Sequence, residues 1–223
     1  MGDSPVAQVL PAHNLELLRT VKHFVVENLR SARRFLRAAD PTIAIDDLQF
    51  IELSEHTRPE EVEEMLAPML EGHSIGVISE AGCPAVADPG SDLVAAAQRR
   101  GLDVVPLVGP SSIILSLMAS GFNGQNFSFR GYLPIEQHKR SQAIREMERA
   151  ARNQGQTQIF IETPYRNNKL IAELASTLAA DTMLCVASDI TCSRQSIITL
   201  TAAQWRTRKY DYSKIPTIFL INR

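Results

Sequence analysis

The residues best placed to do chemistry lie in one stretch, Gly76-Val77-Ile78-Ser79-Glu80-Ala81-Gly82-Cys83-Pro84-Ala85-Val86-Ala87-Asp88-Pro89-Gly90, where a β-branched run empties into a loop stripped of bulk. Gly82 permits close approach of a ligand to the backbone, Pro84 and Pro89 stiffen the chain, and Asp88 is placed to cap a helix starting near Pro89. Open α/β sheets bind ligands in such loops, at the carboxyl ends of strands, although a purely structural strand-to-helix turn has the same composition. Ser111 and Ser112, which follow Gly109-Pro110, form a second candidate pair, with helix capping as the alternative role. Glu27 and His56, each predicted at a strand's carboxyl end, are groups able to take up a proton. An ion pair with nearby arginines is the alternative for Glu27, and a capping or surface role for His56. Arg30, Arg33, Arg34 and Arg37 recur at helical spacing and share one face, suited to phosphate contacts or to plain solvation.

Composition narrows the classes. A net charge of −2 argues against a chain coated with positive potential, so any nucleic-acid contact must be local. The three cysteines, Cys83, Cys185 and Cys192, lack zinc or redox spacing and read as reduced thiols, and no metal is expected. The sequence contains neither G-x-x-x-x-G-K-[ST] nor a tight G-x-G-x-x-G after a strand, and no serine sits in a G-x-S-x-G elbow, which disfavours nucleotide-phosphate enzymes and hydrolases. The longest largely apolar run, residues 113–119, is too short to span a bilayer, and nothing at the start marks secretion, so a cytoplasmic location without membrane contact is expected.

These residues need a scaffold. Short β-branched runs alternate with amphipathic segments, which predicts an α/β fold with helices packed on a largely parallel sheet. Strands are predicted at 23–27, 48–53, 74–79, 103–107, 127–131, 157–162, 183–188, 195–200 and 217–221. Helices are predicted at 58–70, 93–100, 111–120, 138–152 and 167–178, with Gly101 and Gly121 as stops. The pattern changes after Gly121, where residues 183–200 read as two consecutive strands in antiparallel pairing. The expected organisation is therefore an N-terminal α/β lobe (1–121) with a mostly parallel sheet, a C-terminal α/β lobe (122–223) with a mixed sheet, and a ligand cleft between them. Met1-Gly2-Asp3-Ser4-Pro5 reads as a loop where an α/β domain usually opens on a strand, so a first strand is expected to be lost or to lie upstream.

The 76–90 run resembles the S-D-A-G-x-P-x-x-x-D-P-G signature of the ribosomal-RNA branch of the tetrapyrrole methylase superfamily, with Glu80 in place of its first Asp. Other segments are similar in the same order. Glu27-Asn28-Leu29-Arg30 resembles E-D-T-R, His56 lies in an H-x-x-x-E context, and Val108-Gly109-Pro110-Ser111-Ser112 resembles P-G-P-S-A. Phe129-Arg130-Gly131-Tyr132-Leu133-Pro134 resembles F-x-G-F-L-P, and Glu162-Thr163-Pro164-Tyr165-Arg166 resembles E-S-P-H-R. The resemblance implies a two-lobed methyltransferase that holds S-adenosylmethionine in its cleft, largely through backbone groups, and methylates a cytidine ribose 2′-hydroxyl of ribosomal RNA. Matching cofactor positions are Gly82, Cys83, Val86, Ser111, Ser112, Glu162, Thr163, Pro216 and Thr217, and a homodimer is implied as well. Catalytic roles fall to Glu27 and His56, and RNA contacts to Arg30, Arg33 and Arg34. Two departures weaken the RNA assignment more than the cofactor one. The opening Thr-Pro-x-Gly-Asn loop is reduced to Gly2-Asp3-Ser4-Pro5, and residues 188–195 lack the R-E-L-T-K and His-Glu-Glu charges. A small-molecule methyltransferase, acting for example on a tetrapyrrole, and a non-catalytic cofactor-binding homologue are the alternatives.

Overall fold

A computed structural model describes residues 4–54 and 56–223, which fall into two compact units, 5–110 and 111–223, the latter joined by Ser4. The first unit opens with helices α1 (Val6–Val9) and α2 (Ala12–Leu18). Strand β1 (His23–Val26), helix α3 (Leu29–Ala39), β2 (Gln49–Glu52), helices α4 (Pro59–Glu64) and α5 (Ala67–Leu70), β3 (Ile75–Ile78) and α6 (Ser91–Arg99) follow. The three strands form a parallel sheet in the order β2-β1-β3. The central strand is buried on both faces, which is why it reads as an unbroken apolar run. Phe24 and Val26 pack with Ala32 and Leu36 of α3 on one face, while Val25 packs with Val62 of α4 and Leu93 and Ala96 of α6 on the other.

The second unit holds α7 (Ser112–Ser120), β4 (Phe127–Tyr132), α8 (Gln137–Gln154), β5 (Thr157–Ile161), α9 (Asn167–Thr177), β6 (Met183–Ser188), β7 (Ser196–Thr201), α10 (Ala202–Thr207) and β8 (Thr217–Asn222). Its five-stranded sheet has the order β4-β5-β8-β6-β7, with β4 and β5 parallel and the other pairings antiparallel. The mixed character follows the expectation, including the antiparallel pair within 183–200. Phe160, Leu184, Val186 and Phe219 pack with the helices of one face, and Ile159, Cys185, Ile218 and Leu220 pack with Ile113 and Leu117 of α7 on the other.

Four expectations are revised. By packing, the chain divides at 110/111 rather than at 121/122, because α7 lies on the second sheet and Thr199 Oγ1 donates to Ser120 O at 2.9 Å. The predicted helix 58–70 is two helices. Pro68 lacks the backbone donor that would continue the first helix's hydrogen bonds to Glu64, so the chain breaks at Met65 and Leu66 and restarts with Pro68 in the first turn of α5. The predicted strand 103–107 is not a strand. Its residues have strand chemistry, but among the described residues they have no ladder partner and the outer edge of β3 is unpaired, and Val105 and Val108 are 74% and 75% exposed. Asp88 does not cap a helix, since Gly90, at φ 129°, occupies the N-cap of α6. Of the opening Met1 to Pro5 segment, residues 1–3 lie outside the described residues. Among the described residues no helix is long and apolar enough to cross a membrane.

Candidate functional site

Parallel pairing brings the carboxyl ends of β1, β2 and β3 to one edge, and each end delivers a carboxylate. Val26 is in register with both Glu52 and Ile78, so Glu27, Glu52 and Glu80 are gathered by topology alone. Each carboxylate is then tied to backbone or side chain. Glu80 N donates to Glu27 Oε2 at 2.9 Å, Ser31 Oγ donates to Glu80 Oε1 at 2.6 Å, and Leu29 N donates to Glu52 Oε1 at 2.9 Å. Asn28 caps α3 by accepting from Ser31 N at 2.9 Å, so only this cap residue separates Glu27 from the helix that carries the arginines. Glu27 is thus bound to the loop backbone, and it forms no ion pair with those arginines.

The loop from Ser79 to Gly90 is knit internally, with Ala85 N donating to Pro89 O (3.2 Å) and Val86 N to Cys83 O (3.1 Å), and is tied to Pro110 O by Cys83 Sγ (3.6 Å). Its backbone is unusual. Ala85 and Ala87 sit at φ 65° and 64°, where non-glycine residues are uncommon and strained, and such strain collects at functional sites. Gly82 has φ 95°, and a Cβ built there would meet nothing within 4 Å. The structure therefore needs glycine at this position for its conformation, and the space beside it is open. Ser79 Oγ and Asp88 Oδ2 are buried close to one another without a hydrogen bond of good geometry, so the loop holds unused polar capacity.

Burial pushes the Asp88 carboxyl above its ordinary pKa, the charges of Glu27 and Glu80 add to this, and the nearby Ser79 hydroxyl opposes it. A carboxyl so raised favours folding at low pH and disfavours it increasingly as pH rises through its folded-state value. Asp88→Asn is therefore expected to raise the thermal midpoint at pH 7, with the gain vanishing as the pH falls toward about 4. A pH-independent difference in melting would show that the charge of Asp88 is not the cause.

The other predicted residues are placed as follows. His56 lies in the loop after β2, where its N–H donates to Ser54 Oγ at 3.2 Å. Val86 is half exposed on the loop, and Cys83 is a free thiol. Arg30, Arg33, Arg34 and Arg37 are all exposed on α3, with the Arg33 guanidinium 5.5 Å from the Phe50 ring centroid. In the second unit Ser111 is the N-cap of α7, accepting from Ile114 N at 3.5 Å, and Ser112 opens the helix. The capping role considered for Ser111 is real. Glu162, 7% exposed at the end of β5, accepts from Thr163 N (2.8 Å) and pairs with Arg166 (3.2 Å). The antiparallel register, Ile161 opposite Ile218 and Ser188 opposite Thr217, brings Glu162, Thr217 and Ser188 to the same edge of the second sheet. Pro216 accepts from Asp189 N there at 3.0 Å. The preceding loop is fixed by buried Arg140, which donates to Pro134 O (3.1 Å), Ile135 O (2.6 Å) and Glu173 (2.8 Å).

Glu52 was not anticipated, although a carboxylate ending a predicted parallel strand beside Glu27 is a signal that could have found it. Ser79 and the unpartnered Asp88 oxygen carry no comparable signal. Among the described residues no group of three or more His, Cys, Asp or Glu side chains is arranged to hold a metal.

The family model for Tetrapyrrole (Corrin/Porphyrin) Methylases matches residues 10–205. The chain belongs to this family. A ribosomal RNA small subunit methyltransferase I from Vibrio cholerae is 30% identical over 186 residues, covering 82% of this chain and 60% of the relative. The chain spans about 60% of that relative's length. Among solved structures, the methyltransferase CobJ superposes with a TM-score of 0.64 at 15% identity, covering 97% of this chain and 89% of CobJ. Uroporphyrin-III C-methyltransferase from Thermus thermophilus, complexed with S-adenyl homocysteine, gives 0.55 at 15% identity, covering 97% and 92%. These likenesses establish the tetrapyrrole methylase fold, and with it the two α/β units and the parallel and mixed sheets described above.

Proposed function

We propose that this tetrapyrrole methylase is an S-adenosylmethionine-dependent methyltransferase whose acceptor is a ribose 2′-hydroxyl of small-subunit ribosomal RNA. The observation that carries most weight is the junction of Glu27 with the strained loop 79–90, at the carboxyl ends of three parallel strands. The loop suits a cofactor recognised through its backbone, having an open face at Gly82. The name of the Vibrio cholerae relative supports the acceptor, and the Thermus thermophilus complex supports the cofactor.

Bound S-adenosylmethionine supplies a methyl group made electrophilic by its sulfonium. The chain's own tasks are to orient the acceptor, exclude water and take up the ribose proton. Glu27 is the first candidate for the proton. Its Oε2 is occupied by Glu80 N, which fixes the carboxylate and leaves the other oxygen to act. His56 is the second candidate. Gly82, Cys83 and Val86 are proposed cofactor contacts in the first unit, and Ser111, Ser112, Glu162, Thr163, Pro216 and Thr217 in the second. The protein is proposed to work in the cytoplasm as a homodimer, which sedimentation of the purified chain would check.

The direct experiment follows a labelled methyl group from S-adenosylmethionine into small-subunit ribosomal RNA, with uroporphyrin as the competing acceptor. Label in the ribose supports the proposal. Label in the tetrapyrrole replaces the acceptor, and cofactor binding without transfer to either points to a non-catalytic homologue. The arginine face of α3 supplies a second check. Replacing Arg33 and Arg34 with Ala is expected to cost no more than about 1 kcal/mol of stability, mainly from the Arg33 contact with the Phe50 ring. RNA affinity should fall and its salt dependence should flatten. Equal affinities and salt slopes for the two proteins would remove Arg30, Arg33 and Arg34 from RNA binding.

A further inference from the structure

The second unit contains a cavity of about 280 Å³ where β6 ends and β7 begins, lined by Ser188, Asp189, Arg194, Arg208, Lys209 and Tyr210 among others. It lies on the sheet edge that carries Glu162 and Thr217, since Ser188 is in register with both Thr217 and Ser196 and Asp189 N is bonded to Pro216 O. Its volume falls just below the range of about 300–1,000 Å³ usual for small-molecule sites, so it suits one nucleotide-sized group better than a macrocycle.

Charge identifies the class of ligand. Three cations face the cavity, and only Arg194 has an acidic partner, Asp189, at a long 3.4 Å. Asp189 itself is 8% exposed. The remaining carboxylate, Asp211, is already engaged by Asn168 Nδ2 and Ser213 N, both at 2.9 Å. Among the described residues neither Arg208 nor Lys209 is in an ion pair. Arg208 rests over the Trp205 ring, 5.7 Å from its centroid, so its guanidinium is held in place without being neutralised. The loop presenting Arg194 is likewise preset. Asp189 and Thr191 have φ 46° and 73°, held by Asp189 N to Pro216 O (3.0 Å) and Thr191 N to Gln195 Oε1 (2.8 Å).

Aromatic rings accompany the cations. Tyr210 is half buried in the cavity wall, braced edge-on by Trp205 at 5.8 Å and by Tyr212 at 6.2 Å. The same segment runs on to Lys214, whose Nζ lies 6.0 Å from the ring centroid of Tyr165, and that tyrosine is 77% exposed. Interleaved cations and partly exposed rings match an unpaired strand, whose bases offer π faces and whose phosphates are accessible one at a time.

We propose that this cavity binds one nucleotide of a single-stranded RNA, with Arg194, Arg208 and Lys209 on its phosphate and the Tyr210 ring against its base. The proposal rests on the RNA reading above and adds the residues of the second unit that hold the acceptor.

The test uses the full chain, a fluorescent single-stranded RNA of about ten nucleotides, and a double variant, Arg208→Gln with Lys209→Gln. Both side chains are exposed, so the variant should fold and bind S-adenosylhomocysteine as the parent does. Its RNA affinity is expected to drop about tenfold in low salt. The slope of log affinity against log salt should become shallower by up to about 0.7, the contribution of one single-strand phosphate contact. Parent and variant with the same affinity and slope would overturn the site while leaving the RNA acceptor intact. A parent that binds S-adenosylhomocysteine but no RNA would overturn both. AMP bound by the parent and lost in the variant, with RNA binding unchanged, would overturn the RNA assignment in favour of a free nucleotide.

Discussion

Methyl transfer by a Glu27→Gln variant is expected to fall about 100- to 10,000-fold, the range over which positioned general bases act. Affinity for S-adenosylhomocysteine should not change. The two effects separate because Glu27 has two tasks on two oxygens. One is structural, accepting from Glu80 N at 2.9 Å, and the amide oxygen of Gln can do the same. The other needs a carboxylate's affinity for a proton, which an amide lacks. The loss should therefore appear in kcat with KM nearly constant, the pattern of an interaction made only in the transition state. Glu27→Ala should behave differently, because losing the bond to Glu80 N releases the loop and weakens cofactor binding as well. An undiminished rate for Glu27→Gln would take the base role from Glu27, and His56→Asn would then be the decisive variant.

The sequence reveals those parts of the architecture that depend on local chemistry. Eight of nine predicted strands form, because β-branched and aromatic runs favour a pleated surface whether it is buried, as in β6 and β8, or partly exposed, as in β2 and β4. The exception, residues 103–107, has the same composition, yet a strand also requires a backbone to pair with, and composition does not record partners. The division at 110/111 was missed for a related reason. Helix α7 follows the first unit in sequence, and only its contacts with Ile159 and Ile218 assign it to the second. Helix α10 was overlooked although Thr201 and Gln204 carry the spacing of a capping box, which the structure forms.

The candidate site shows the same split. Glycines, prolines and carboxylates at predicted strand ends are legible, since their chemistry is carried by residue type. The strained conformations of Ala85 and Ala87 are not, because alanine is no marker of positive φ and only the surrounding loop holds it there. The cavity beside Ser188 is a further case. The basic and aromatic segment from Trp205 to Lys214 is plain in the sequence, but its proximity to Asp189 and Arg194 arises from the order β8-β6-β7, which brings the ends of three strands together.

Gly82→Leu is expected to abolish S-adenosylhomocysteine binding while leaving the protein folded, and Gly72→Leu serves as its matched control. The two glycines have nearly the same positive φ, 95° and 88°, and a Cβ at either meets nothing within 4 Å. Leucine at either position should thus destabilise through backbone strain alone, by about 1–3 kcal/mol. They differ in place. Gly72 precedes β3 and Gly82 follows it, so the two variants add the same side chain at opposite ends of one strand. If the cofactor approaches the backbone of the loop, the added side chain at Gly82 occupies the space it needs, whereas at Gly72 it sits at the strand's other end, away from the loop. Calorimetry should then show no binding by Gly82→Leu and parental affinity for Gly72→Leu, at similar melting temperatures. Retained affinity in a folded Gly82→Leu protein would take the loop out of the cofactor site. Equal losses in both variants would trace the effect to strain in the first unit, because only a lost contact can distinguish two positions that share the same strain.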